Sequence, residues 1–178
     1  MIKSVGKYLG NFSKLSSTKV GRKLLKSEIE KVSNLDEYIN KVDAQLLLKA
    51  LRELAAWFKY NQTAMQDNGF GTFYFESGWT SSYPETTGYI VPTLLEYAQF
   101  DGNFEFESIA KNALDWLVSI QKPSGGWQSG YLHQNRDEIV FNTGQVLRGL
   151  TAGYSHFNKK EYLNSAIKAC EWLTSIQN

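Results

Sequence analysis

The feature that most constrains this chain is an internal repeat. The segments AAWFKYNQ (55–62), LDWLVSIQ (114–121) and CEWLTSIQ (170–177) each place a Gln five residues after a Trp, at Trp57, Trp116 and Trp172. A second register agrees with the first: Thr87-Gly88 and Thr143-Gly144 lie 56 residues apart, and each Thr precedes the next Trp by 29. Two markers that move together imply one supersecondary unit repeated along the chain, each copy burying its apolar side only against its neighbours.

Inside the unit the apolar period is helical. Between Phe104 and Gln121, residues Ile109, Ala113, Trp116, Leu117 and Ile120 share one face, and Lys122-Pro123 stops the helix. A shorter helix capped by Thr86 or Thr87 runs to about Gln99, with Asp101-Gly102 as the turn between the two. The next unit predicts the same pair, from Asn142 or Thr143 to about Tyr154 and from Lys160 to Gln177, with Ile167, Cys170 and Leu173 toward the core. The first unit is irregular; its long helix runs from Asp43 to Asn61. Pro92, inside the short helix, predicts one missing backbone bond and a kink. The fold class implied is all-α, with about three helical hairpins.

Two long segments follow the long helices, TAMQDNGFGTFYFESGWTSSYP and KPSGGWQSGYLHQNRDEIVF, both rich in Gly and aromatic residues. They carry related tetrapeptides, Glu76-Ser77-Gly78-Trp79 and Gln128-Ser129-Gly130-Tyr131. Connections of this length are uncommon in compact folds and usually functional, so a single face is expected where these loops and the short-helix N-termini converge.

On that face Glu85 stands before a short-helix N-terminus among Trp79, Tyr83 and Tyr89, the setting of a general acid or base beside rings that stack on sugars. Its competing role is simpler: an acid there complements the helix dipole. Asp137 and Glu138 are the candidates for a second carboxylate of the kind glycoside cleavage uses, or else solvated loop charges. Asn142, Gln145 and Arg148 form a hydrogen-bonding set for hydroxyls or a sugar carboxylate, and Tyr131 is a second stacking ring. Trp57, Trp116 and Trp172 are expected to be packing residues, and Cys170, which aligns with Leu114, a core residue rather than a nucleophile. His133 reads as a polar loop residue.

Charge is distributed unevenly. The net charge is +1, yet residues 1–26 hold seven basic residues and no acid, leaving the remainder acidic. Residues 1–42 read as a basic amphipathic helical segment ahead of a repeat domain at 43–178, with Ile2, Val5, Leu9, Phe12 and Leu15 on one face for docking. Nucleic acid is a poor partner for so short a basic run. No segment has the ~20 apolar residues of a membrane helix, and the N-terminus lacks a signal-peptide core, so a cytoplasmic location is expected. One cysteine and two histidines offer neither a disulfide framework nor a zinc site, and no cofactor or metal is expected.

Gln121-Lys122-Pro123-Ser124-Gly125-Gly126-Trp127 matches QxxxGxW, the repeat motif of squalene and hopene cyclases, with a degenerate copy at Gly69 to Phe73. Through Ser82-Tyr83-Pro84-Glu85-Thr86-Thr87-Gly88-Tyr89 and Phe141-Asn142-Thr143-Gly144-Gln145-Val146-Leu147, residues 44–178 more closely resemble bacterial α/α-toroid proteins described as prenyltransferase or squalene-cyclase repeats, often found in polysaccharide contexts. The resemblance implies two concentric rings of helices, of which about half is present, and makes Trp127 structural. It implies a carbohydrate-associated protein that binds or processes an oligosaccharide or uronic-acid polymer. The alternative is a non-catalytic helical-repeat scaffold whose edge self-associates or takes another chain to complete the ring. Terpenoid cyclisation ranks third, because the DxDD acid is absent.

Overall fold

A computed structural model describes Lys26 and residues 43–177, so the expectations for the basic N-terminal segment lie outside the described residues. The chain divides into two compact units, Met1–Ala50 and Leu51–Asn178. Of the first, the described stretch 43–50 opens a helix, with Asp43 Oδ1 accepting the Gln45 N–H at 3.0 Å as an N-cap does.

The described residues form an all-α fold. Helix α1 (Ala44–Met65) is followed by a minimal hairpin, β1 (Phe73–Tyr74) and β2 (Gly78–Trp79), paired antiparallel. Then come α2 (Pro84–Asp101), α3 (Glu105–Ser119), α4 (Val140–Phe157) and α5 (Lys160–Ser175). α2 with α3 and α4 with α5 make two helical hairpins, and α2 packs most extensively along α4. Each hairpin turns on a left-handed residue, Gly102 at φ 67° and Asn158 at φ 51°, the conformation that ends a helix cheaply only in Gly or Asn. Between the hairpins Leu94, Leu114, Leu117, Val146, Leu150 and Tyr162 are buried, as are Phe70 and Trp127 beneath the loops.

The Thr-Gly marker does a different task from the one expected of it. The caps of α2 and α4 are Tyr83 and Ile139, and neither supplies a side-chain capping bond. Thr87 and Thr143 sit one turn inside, buried, and each Oγ1 accepts a backbone N–H from the preceding loop: Phe70 at 2.9 Å and Trp127 at 3.0 Å. Phe70 therefore occupies the place of Trp127 in the earlier copy. A buried N–H left unpaired costs about 1–3 kcal/mol, so this bond fixes where each loop enters its helix.

The repeated Gln is a fastener between units. Gln62 Nε2 donates to Asn68 O in its own loop and to Ile109 O on α3, both at 3.0 Å. Gln121 Nε2 donates to Gly125 O at 2.8 Å and to Ser165 O on α5 at 2.9 Å, and its Oε1 accepts from Ser165 Oγ at 2.8 Å. Ile109 and Ser165 are 56 residues apart, so both Gln side chains reach the same point of the following helix. Gly125, at φ 109°, lets the loop come this close, because a Cβ there would strike the Lys168 carbonyl.

Pro92 acquires a reason. Lacking an N–H, it leaves the Gly88 carbonyl without its helical donor, and that oxygen faces Gly149 of α4: a Cβ at Gly149 would lie 2.5 Å from it. A Cβ at Gly88 would lie 2.6 Å from Val146 Cα. Helices α2 and α4 thus meet backbone to backbone, an approach only glycine permits. Between α3 and α5, Asp115 accepts from Lys159 Nζ at 2.6 Å and Tyr162 OH at 2.7 Å, and within α3 from Lys111 Nζ at 2.8 Å. Burial pushes this carboxyl up, but the three donors outweigh it and hold the pKa at about 2.

Candidate functional site

Both loops converge on the end of the molecule where α2 and α4 begin. They are stitched together there. Leu132 N–H donates to Ser82 O at 3.1 Å, Gly130 N–H to Tyr83 OH at 3.2 Å, and Tyr74 OH pairs with Tyr131 OH at 3.3 Å. The Tyr83 and Tyr131 rings meet edge to face at 5.5 Å, and Tyr131 stacks on the exposed His133 at 6.0 Å. Ser81 Oγ and His133 Nδ1 are 2.5 Å apart. Tyr83 and Tyr131 are therefore joined in one half-exposed shelf, to which Tyr74, Ser81 and His133 also belong.

Trp79 belongs to a second aromatic group, held by the β-hairpin against α1. Its ring lies 5.2 Å from Phe73, 5.9 Å from Tyr60 and 6.3 Å from Trp57, and Phe73 meets Phe75 at 5.8 Å. These rings are in solvent: Tyr60 is 62% exposed, Trp57 43%, and Phe75, near the tip, 99%. Trp57 is thus an exposed ring rather than the packing residue its repeat position predicts, whereas Trp116 is buried and Trp172 half-buried. Apolar rings gathered in solvent mark a contact surface more than a fold requirement.

The other predicted residues divide further. Asn142 is buried, and its Nδ2 donates to Gln128 O at 2.9 Å, holding the second loop. Gln145 and the exposed Arg148 are together on α4, Nη1 donating to Oε1 at 3.1 Å. Tyr89, 40% exposed, stands on α2 at the position that Gln145 holds on α4. Glu85 is half-buried in the first turn of α2, and burial raises its pKa. Glu138 is engaged by Ser124 Oγ, whose hydrogen bond lowers its pKa against the effect of burial. Among the described residues, no group of three His, Cys, Asp or Glu is placed to hold a metal ion, and no helix is long and apolar enough to cross a membrane.

The sequence pattern did not single out Tyr60, Phe73, Tyr74, Phe75 or Ser81. The run of aromatics Phe73-Tyr74-Phe75 ahead of Gly78 was the available signal, since closely spaced aromatics before a Gly turn favour a hairpin. No protein-family model, curated protein or solved structure matches this chain.

Proposed function

We propose that this chain is an α/α-toroid-type repeat protein that binds a glycan, an oligosaccharide or uronic-acid polymer, across its aromatic loop face. The observation that carries the reading is the ring group around Trp79, with Trp57, Tyr60, Phe73 and Phe75 open to solvent on a short hairpin. Flat aromatic faces match the C–H faces of pyranose rings, and the neighbouring Tyr74, Tyr131 and Ser81 hydroxyls add hydrogen-bonding groups at the margin. Arg148 supplies a charge for a carboxylated sugar. Glu85, whose carboxyl burial holds toward its protonated form, is the candidate acid should the bound glycan also be processed.

The test is titration of the full chain with neutral and uronic-acid oligosaccharides, read by tryptophan fluorescence and calorimetry, with reducing-end and unsaturated-product assays alongside. Trp79→Ala is expected to weaken binding at least ~10-fold with the melting temperature little changed. Glycans that neither bind nor turn over, or that bind Trp79→Ala as tightly as the parent, sink the reading. Turnover that survives in the parent and vanishes in Glu85→Gln with binding intact would convert it from binding to processing.

A further inference from the structure

Nucleophilic catalysis needs a hydroxyl within hydrogen-bond reach of a base, and a third group that holds the base in orientation. The loop face carries such a pair. Ser81 and His133 come from different loops, 52 residues apart, and Ser81 Oγ lies 2.5 Å from His133 Nδ1. With the imidazole proton on Nε2, Nδ1 accepts the Ser81 hydroxyl. The ring of Tyr131 stacks on the imidazole with 7° between their planes, so an aromatic ring, in place of a carboxylate, orients the base.

Both partners are held in place by the backbone around them. On either side of Ser81, Thr80 N–H donates to Thr72 O at 2.8 Å and Tyr83 N–H to Phe70 O at 2.9 Å. Ser82 is wholly buried and its Oγ donates to Asp67 Oδ1 at 2.6 Å, which leaves Ser81, half-exposed, as the serine that solvent and ligand can reach. His133 is presented by a single turn, Leu132–Gln134, closed by Gln134 N–H to Tyr131 O at 2.9 Å and by Tyr131 N–H to Gln134 Oε1 at 3.0 Å. As a stitch between the loops the pair is redundant. Their neighbours are already joined through Leu132 N–H to Ser82 O and Gly130 N–H to Tyr83 OH. A supported, solvent-accessible Ser–His contact is the form that a reacting pair takes.

We infer that Ser81 and His133 are a nucleophile and base that hydrolyse a carboxylic ester, the substrate being an O-acyl group carried by a glycan on the same face. The sugar rests on the glycan reading above; the dyad does not. A hydroxyl and a proton carrier suit acyl transfer, whereas glycosidic cleavage calls for a pair of carboxyl groups. Ser81 Oγ attacks the ester carbonyl carbon as its proton passes to His133 Nδ1. The bond to the sugar oxygen breaks, that oxygen takes the proton, and the acyl group remains on Oγ. Water then attacks the acyl carbon and gives its proton to Nδ1; the acid departs and Oγ recovers the proton. The sum is ester plus water to alcohol plus carboxylic acid. The Ser81 N–H, which has no acceptor among the described residues, is a donor open to the developing oxyanion.

Two measurements on the full chain test this. A fluorophosphonate should modify Ser81, located by peptide mass spectrometry, and the modification should slow at least ~100-fold in His133→Gln. Hydrolysis of p-nitrophenyl acetate and of acetylated oligosaccharides should fall at least ~100-fold in Ser81→Ala, with binding of the deacetylated oligosaccharide unchanged. Turnover of p-nitrophenyl acetate by a chain that binds no glycan upholds the dyad and sinks the glycan reading instead. Absence of the Ser81 adduct, absence of ester turnover, or turnover as fast in Ser81→Ala as in the parent overturns the inference.

Discussion

The flank of hairpin α2–α3 is sealed by α4, while the matching flank of α4–α5 is open among the described residues, although the two hairpins share one 56-residue register. Leu114 is fully buried; Cys170, its counterpart, is exposed. Gly88 is pressed on the Val146 backbone; Gly144 faces empty space. The difference teaches that position within a repeat fixes local conformation, whereas burial is conferred by the neighbour. The same residue type can be a core element in one copy and a surface element in the next.

Paired substitutions separate the two effects. Leu114→Ala should cost about 3–5 kcal/mol in urea unfolding, from lost transfer energy and the cavity left behind, while Cys170→Ala should stay within about 0.5 kcal/mol. Equal losses would mean that the open flank is covered in solution. Next in size, Gly88→Ala should destabilise by about 1–3 kcal/mol because its methyl meets backbone that cannot yield, and Gly144→Ala should stabilise by about 0.5–1 kcal/mol as an ordinary helix substitution. If Gly144→Ala is as damaging as Gly88→Ala, the comparison breaks.

A smaller effect concerns acid. Asp115 has a folded pKa of about 2 against an ordinary 3.8, so its contribution is complete above about pH 4 and is lost as pH falls through 2. Wild-type unfolding midpoints should drop across that window, and Asp115→Asn should start lower and flatten the drop. The smallest effect belongs to Glu85. Its raised pKa means that the folded state favours the protonated acid, so stability declines as pH rises above 4.5. Glu85→Gln should raise the midpoint slightly at pH 7 and not at pH 3.

Helices were legible because their signals are local. The Trp-Gln and Thr-Gly spacings located four of the five described helices as hairpin partners, and α1 was read from its own period, with ends within a few residues. Thr87 and Thr143 were misassigned as caps because a Thr before an apolar run looks alike whether its hydroxyl serves its own helix or a loop 16 or 17 residues upstream. Trp57 and Trp116 share a motif, and what separates them is whether rings or helices lie alongside. The candidate face was legible as a pair of long loops, yet its contacts were not: Ser81 finds His133 52 residues away, and Tyr74 finds Tyr131 at 57. Two-residue strands such as β1 and β2 are too short for a period to show.

The bare meeting of Gly88 and Gly149 also bears on how such a chain can lengthen. Copying α4–α5 in tandem would set Gly149 and Gly153 of the new copy against Gly144 and Cys170, where there is room. Copying α2–α3 in tandem would bring Thr93 and Tyr97 to the Gly88 carbonyl and Leu114, where there is none. Duplication is thereby permitted for one module and sterically barred for the other, so the order of the hairpins carries a direction of growth.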